Sequence, residues 1–510
     1  MNKSLGFLNG VYTLLMVGMQ WGDEAKGKIA DFITTHWKPK FVVRFQGGAN
    51  TGCTVEVGNK KIVLHLIPAG IMHDAAGVFN VIAKGVALYP LVLLGEIQKL
   101  AGLGIKCKNL VVSGDATVVL PIHILIDRIW AEINGGIGTT GRGIGWAYED
   151  RDGRRGITVY DLLDENELRR KIRANFAYHE LWLKSVDQEV LKKILQSEYL
   201  ENGRFYCPKN ILNIEAMVKC YLQYGRKIAK YVRDTDKLLR RAVERQDKIL
   251  LEGAQGLLLS KLVGLGTHPH NTMSDPSIYG LPEGCGLHMG DVDYVLGVVK
   301  AYATRVGHGS FAEEFGGARS AKWCEPHMAE LYPNELEYYP DVSLNSPTPF
   351  WRGIMLRILG FEYGATTERR RRTGRLSIPG LKLAIDSCSP PNTEISFGLA
   401  VTKLDVLKGM SVVEIGHRLR YNGEGCDHDD YMLQKGHELD VMVPRNQVYR
   451  HCVGRYLRLP GFHQTVSRIR RYSSLPNGAR GVLQCIADSA NVSLDLVSVG
   501  PKRDQTIVVD

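Results

Sequence analysis

No run in this 510-residue chain approaches the roughly 20 apolar residues of a membrane-spanning helix, which argues against a helical membrane protein. The N-terminus also lacks a basic n-region, a long apolar h-region and a small-residue cleavage site, so a cytoplasmic location is expected. Ten cysteines are scattered without one C-x-x-C pair, which in a chain this long favours reduced thiols over a disulfide frame or zinc ribbon. Internal repeats and low-complexity tracts are missing as well. Acidic residues are the scarcer charge, 54 against 64 basic, and the net charge of +10 favours polyanionic partners. Nucleotides meet that description as well as nucleic acid does. A hydrophobic content of 44% is enough to bury a large core.

Along the chain, apolar runs alternate with helical patterns. Leu14 to Val17, Phe41 to Phe45, Ile62 to Ile67 and Val78 to Ala83 read as strands, and Leu91 to Leu100 as a helix. From about Leu162 to Gln246 the pattern is helical and charged, with Ile214, Met217, Val218, Tyr221, Leu222, Ile228, Ala229 and Val232 on one buried face. Strand signals return at Lys248 to Leu251, Val295 to Val299, Glu394 to Val401 and Ser411 to Ile415. The expected fold is α/β: one large, mainly parallel central sheet with flanking helices, like that of phosphate-loop NTPases. It is expected to form a single domain over 1–510, with a helical insertion at about 160–247. A stretch at about 308–363, rich in Pro, Trp and Tyr with weak periodicity, reads as an elaborated surface segment.

The first strand runs into Gly18-Met19-Gln20-Trp21-Gly22-Asp23-Glu24-Ala25-Lys26-Gly27-Lys28-Ile29. From Gly22 this is the phosphate-loop pattern G-x-x-x-x-G-K, with Ile29 where a hydroxyl normally holds magnesium. Small residues let the backbone close on phosphate oxygens, and the helix Lys28 to His36 offers unpaired N–H groups to the anion. Asp23 is the hard oxygen ligand left for the metal. Lys28 is expected to reach the terminal phosphates, with Lys26 as a second cation. Near the other end, Thr402-Lys403-Leu404-Asp405 follows a strand and matches the T/N-K-x-D base reader of guanine-nucleotide proteins. Asp405 can accept the N1–H and 2-amino protons of guanine while the Lys403 stem packs on the base, which favours GTP. Four consecutive arginines, Arg369 to Arg372, offer bidentate forks for carboxylates, or else a nucleic-acid patch. The loops Ile137 to Gly145 and Glu252 to Gly256 combine backbone donors with hydroxyls, an amide and one cation, as anion sites do.

Together these stretches resemble the adenylosuccinate synthetase family, which joins inosine monophosphate (IMP) to L-aspartate using GTP and Mg²⁺. The matching segments are Gln20 to Glu24, Arg44 to Gly48, Leu64 to Pro68, Gly138 to Asp150, Glu252 to Gly256, Asp293 to Gly307, Gly364 to Gly374 and Thr402 to Val406. The resemblance implies catalytic roles for Asp23, Gln255 and the position of Cys53, with Asp23 and the Gly52 carbonyl as metal ligands. It implies GTP binding by Gly22, Glu24, Ala25, Lys26, Gly27, Lys28, Gly52, Thr54, Lys403, Asp405, Ser498 and Gly500. IMP would be held by Asn50, Thr139, Thr140, Gln255 and Thr272, with Arg154 supplied across a homodimer interface. Thr367, Arg369 and Arg371 would clamp aspartate.

The chain departs from the family in three places. The family's second catalytic histidine is replaced by Cys53, a weak donor without an imidazolium's charge. Losing one positioned donor typically costs about 10² to 10³ in rate. Ala25 replaces a loop glycine, and Glu368 sets a carboxylate beside the carboxylate clamp unless Arg370 or Arg372 neutralises it. Three readings stay open: the ligase itself, a paralogue with an altered purine nucleotide or amino acid, and a nucleotide-binding protein with impaired catalysis. His268 and His270, and the group Cys426, Asp427, His428, Asp429 and Asp430, match no metal-ligand spacing and read as ordinary loop residues.

Overall fold

The computed structural model describes residues 4–57, 60–133, 140–196, 199–201, 204–206, 211–264, 271–364, 369–389, 393–428 and 431–509. Thr139, His268, His270, Thr367, Glu368, Asp429 and Asp430 lie outside the described residues, as do the side chains of Cys426, Asp427 and His428.

Ten strands form the central sheet: β1 (Thr13–Gly18), β2 (Phe41–Arg44), β3 (Phe79–Ile82), β4 (Leu110–Ser113), β5 (Val232–Arg233), β6 (Ile249–Glu252), β7 (Tyr294–Lys300), β8 (Ser396–Thr402), β9 (Ser493–Ser498) and β10 (Thr506–Val508). Their order is β5, β4, β3, β2, β6, β1, β7, β8, β9, β10, and neighbours run parallel except β9 with β10. Every residue of β1, β2, β4, β6 and β7 is buried, as parallel strands covered on both faces must be. Side chains alternate between the two faces. Leu14 and Met16 of β1 join one hydrophobic cluster, Leu15 and Val17 the other.

Two expected strands lie elsewhere. Lys60–Leu64 pairs antiparallel with Cys53–Val57 in a separate hairpin, and its last residues, 65–67, turn away from it. Val412–Tyr421 belongs to a three-stranded antiparallel sheet with Glu438–Leu439 and Cys452–Pro460. Short apolar runs do not carry the identity of their partners, which is why both looked like central strands. The two outermost strands on each side, β5 and β4 on one and β9 and β10 on the other, are additional.

The helical insertion is built largely as its periodicity predicts. Helix α1 is Lys26–Trp37, α2 Pro121–Ile133, α3 Ile144–Asp152, α4 Glu165–Ser185 and α5 Ile214–Ile228. Asp164 caps α4 by accepting from the Asn166 and Glu167 amides, and Asn213 caps α5 by accepting from that of Ala216. Met217, Val218, Tyr221 and Ile228 are buried, but Ala229 is exposed because α5 ends at Ile228. The chain then returns as β5 to pair with β4, so the insertion also supplies an edge of the sheet. The 308–363 segment has its own small core, Trp323, Val342, Phe350 and Ile354, formed by short helices whose periodicity is too brief to read.

One buried carboxylate fixes α3. Asp150 Oδ2 accepts from His123 Nε2 at 2.9 Å, His179 Nε2 at 2.7 Å and Asn175 Nδ2 at 2.5 Å, while Arg155 Nε donates to Oδ1 at 3.0 Å. The cluster is not a metal centre in this state. His123 Nδ1 accepts from the Leu120 amide at 3.0 Å, so its proton sits on Nε2 and no lone pair is left there for an ion. Asp150→Ala strands these donors in the core, at about 1–3 kcal/mol for each buried group left unpaired. The expected outcome is a loss of at least about 3 kcal/mol by urea unfolding; an unchanged midpoint contradicts the role given to Asp150.

Candidate active site

The carboxyl ends of β1, β2, β6, β7, β8 and β9 face one edge of the sheet, where open α/β sheets place their ligands. After β1 the chain makes a tight loop with Gly22 at φ 91°, Asp23 at 60° and Ala25 at 65°. Ala25 therefore occupies the left-handed conformation in which a glycine would be unstrained, a cost of roughly 1 kcal/mol. Glu24 holds the loop: its Oε1 accepts from the Gln20 and Gly22 amides at 3.1 and 2.9 Å, and its Oε2 pairs with Lys26 Nζ at 2.6 Å. Lys26 also donates to the Gln255 carbonyl at 2.5 Å, which ties the loop to the turn after β6.

On the β2 side, Arg44 and Glu252 face each other across adjacent strands in a buried ion pair of 2.5 Å. Beyond them, Thr51 Oγ1 and Gln255 Nε2 lie 3.0 and 3.3 Å from where a Cβ on Gly47 would stand. Gly47, at φ 90°, leaves that space open. The buried Asn50 Oδ1, Thr51 Oγ1 and Gln255 Oε1 have no hydrogen-bond partner among the described residues. Thr272 is half-buried, whereas Thr140 and Arg154 are exposed, Arg154 with a positive φ of 62°.

Cys53 is 4% exposed and points at the first turn of α1: a Cβ on Gly27 would come within 2.2 Å of its Sγ. Burial, then Glu252, pushes its pKa well above the ordinary thiol value, so it is a neutral thiol. The cation that acts on it, Arg44, is already committed to Glu252. His65 does not supply the missing charge either. Its Nδ1 donates to the Thr51 carbonyl at 2.6 Å, and burial lowers its pKa.

The four arginines divide by the alternation of an extended chain. Arg371 faces the phosphate loop, with Nε 2.8 Å from Asp23 Oδ2 and Nη1 2.9 Å from Glu362 Oε2. Arg370 and Arg372 turn the other way. Arg370 donates to the carbonyls of Trp323, Met328 and Tyr332, and Arg372 forks onto Glu314. Both are committed to these partners. Arg369 is half-buried, and burial lowers its pKa.

Lys300, Tyr302 and Glu362 are not among the residues that the sequence marks. Glu362 accepts from Lys300 Nζ at 3.0 Å and Tyr302 Oη at 2.6 Å, besides Arg371. Burial pushes its pKa up, but Lys300, Lys403 and Arg371 together hold it down at about 2. The only sequence signal was a lysine closing an apolar strand.

At the far end, Lys403 has φ 61° and donates to the Gly360 carbonyl at 2.7 Å. Burial raises the Asp405 pKa despite Lys403. Lys28 Nζ reaches Ser498 Oγ and the Gly500 carbonyl, each at 2.5 Å, and the Gln505 carbonyl at 2.9 Å. Lys28, Ser498 and Gly500 therefore meet on the Asp405 side of the site, while Lys26 stays at the loop. Burial lowers the Lys28 pKa to about 7.

A parallel sheet that gathers a phosphate loop, a K-x-D turn and an arginine loop at its carboxyl edge defines a nucleotide-dependent enzyme of the phosphate-loop class. A family model described as adenylosuccinate synthetase matches residues 15–507. The chain is 39% identical over 501 residues to adenylosuccinate synthetase of Anaeromyxobacter dehalogenans (strain 2CP-1), with 98% of each chain covered. To that of Thermodesulfovibrio yellowstonii it is 34% identical over 498 residues, covering 97% of this chain and 98% of the other. The structure of fully ligated adenylosuccinate synthetase from Plasmodium falciparum is similar at TM-score 0.75 and 26% identity, covering 98% and 99%. The chain belongs to the adenylosuccinate synthetase family.

Glu362→Gln leaves Lys300 and Arg371 short of one buried negative charge, and breaking such a pair costs about 3–5 kcal/mol. The expected result is a loss of that size in the urea unfolding midpoint, larger than for an exposed pair such as Arg418 with Asp440. Equal small losses for both contradict the central place of Glu362.

Proposed function

We propose that the chain is a GTP-dependent ligase that joins IMP to L-aspartate through a 6-phosphoryl intermediate and releases adenylosuccinate, GDP and phosphate. The observation that carries this reading is the set of buried polar atoms on Asn50, Thr51 and Gln255 without a partner among the described residues, of which the Thr51 and Gln255 side chains meet at Gly47. Buried polar atoms without partners cost about 1–3 kcal/mol each and are retained where a ligand satisfies them. No finding favours a changed substrate or a loss of catalysis over the ligase.

Asp23 takes the N1 proton of IMP, so that the 6-oxygen attacks the γ-phosphorus of GTP and GDP leaves. The aspartate amine then attacks C6 and phosphate departs. Arg371, with Arg369, receives the aspartate carboxylates; the ion pairs of Arg371 with Asp23 and Glu362 support a carboxylate-binding role. Lys403 and Asp405 read guanine. The hard oxygens of Asp23 and the Gly52 carbonyl suit magnesium, which when bound neutralises phosphate charge. Arg154 is exposed at the surface and free to reach a second copy, in keeping with a homodimer.

Two tests follow. Wild type incubated with IMP, aspartate and GTP should form adenylosuccinate, and Asp23→Asn should not. Cys53→His should raise kcat by about 10² while Cys53→Ala stays near wild type, since a neutral thiol contributes little to charge stabilisation. A wild type that makes no product under conditions where another family member reacts overturns the ligase reading. A fall of kcat by more than tenfold in Cys53→Ala overturns the inert-thiol reading.

Lys28 supplies the pH test. Its folded pKa of about 7 leaves it mostly neutral at pH 8, and a bound triphosphate favours the ammonium form. GTP binding at pH 8 should therefore take up a proton, and uptake should fade towards pH 6, where Lys28 is charged beforehand. Calorimetry in buffers of different ionisation enthalpy reads this directly; uptake that persists in Lys28→Met contradicts it.

A further inference from the structure

The 308–363 segment holds a feature that the ligase chemistry does not use. Its core opens into a cavity of about 350 Å³, at the small end of the range for ligand sites. Trp323, Tyr332, Tyr338 and Phe350 line it together with Arg319 and Lys322, and no carboxylate does among the described residues. Trp323 and Tyr332 stack at 5.3 Å with their planes 26° apart, and Tyr338 meets Tyr332 edge-on at 4.4 Å. Tyr338 is 47% exposed, so one ring stands at the mouth.

The charge pattern narrows the ligand. The Arg319 guanidinium lies 4.2 Å over the Phe350 ring, already supplying a cation to that face. Arg319 and Lys322 form no ion pair among the described residues, and both are exposed. The neighbouring carboxylate, Glu335, is buried and fully committed: it accepts from Trp323 Nε1 at 2.6 Å, Arg357 Nε at 2.9 Å and Tyr363 Oη at 2.8 Å. Aromatic faces beside two unneutralised cations repel an ammonium ligand and suit a flat ring that carries an anion.

We propose that this cavity is a second nucleotide site, with the base against the Tyr332 and Tyr338 rings, backed by Trp323, and the phosphate at Arg319 and Lys322. Arg370 connects it to the arginine loop. Its guanidinium lies 4.4 Å over Trp323 and donates to the Trp323 carbonyl at 3.0 Å and that of Met328 at 3.3 Å, as well as to that of Tyr332. Any ligand that shifts these rings moves the carbonyls that hold Arg370, between Arg369 and Arg371. Occupancy is thereby felt at the aspartate clamp; this last step rests on the proposed ligase reading, while the binding itself does not.

The test is equilibrium binding of AMP with IMP and a non-hydrolysable GTP analogue present at saturation. One additional AMP per chain is expected in wild type. Its affinity should fall at least tenfold in Arg319→Glu/Lys322→Glu and in Tyr338→Ala, with binding of the IMP and the GTP analogue unchanged. No additional AMP, additional AMP that survives both variants, or inorganic phosphate bound as tightly as AMP overturns the site. In steady state, AMP should change the aspartate KM at least threefold in wild type and not in Arg370→Lys; a KM indifferent to AMP overturns the coupling. Failure of the ligase reading is seen separately, as absence of adenylosuccinate with the AMP isotherm intact.

Discussion

The site depends on one buried carboxylate. Glu362 collects the lysine that ends β7, a tyrosine just beyond it and an arginine from the loop that follows, and through that arginine it reaches Asp23 in the phosphate loop. Three segments distant in sequence, around Asp23, Lys300 to Tyr302 and Glu362 to Arg371, are thereby held at one point. The constraint is electrostatic: Lys300 is wholly buried, and a buried ammonium persists only beside a compensating charge. Without Glu362 neither Lys300 nor Arg371 has a reason to stay where the chemistry needs them.

The same logic explains a run of four arginines where two suffice for a dicarboxylate. In an extended chain, neighbouring side chains point to opposite sides, so a residue that clamps a ligand is flanked by residues that face the body of the protein. Arg370 and Arg372 face inward and are saturated by backbone carbonyls and Glu314. They anchor the loop; Arg371 works from it. A run that looks like a nucleic-acid patch thus holds two inward-facing anchors, Arg370 and Arg372, on either side of Arg371, which faces Asp23.

Much of the central sheet was legible because parallel strands are continuous apolar runs ending in turns, as in β1, β2, β6 and β7. The hairpin strand Lys60–Leu64 and the ribbon strand Val412–Tyr421 were misread because a short run does not name its partner. The phosphate loop and the K-x-D turn were legible because each chemistry needs a fixed spacing within one segment. Glu362 was not: its meaning arises from three residues up to 62 positions away, and a lone glutamate has no local signature. Lys28 illustrates the intermediate case. Its motif marks a lysine directed at phosphate, but its bonds to Ser498, Gly500 and Gln505, 470 residues or more away, have no signature in that motif.

Cys53 and Ala25 belong to one local problem. Cys53 Sγ rests against Gly27, and Gly27 follows the strained Ala25 by two residues. The Cys53 thiol is buried and neutral, under the influence of Glu252 and Arg44, so it adds volume without charge. Cys53 thus brings no charge to the loop, whose amides are fixed by the backbone. A backbone held at positive φ keeps those amides aimed, which is the one function the strain at Ala25 preserves.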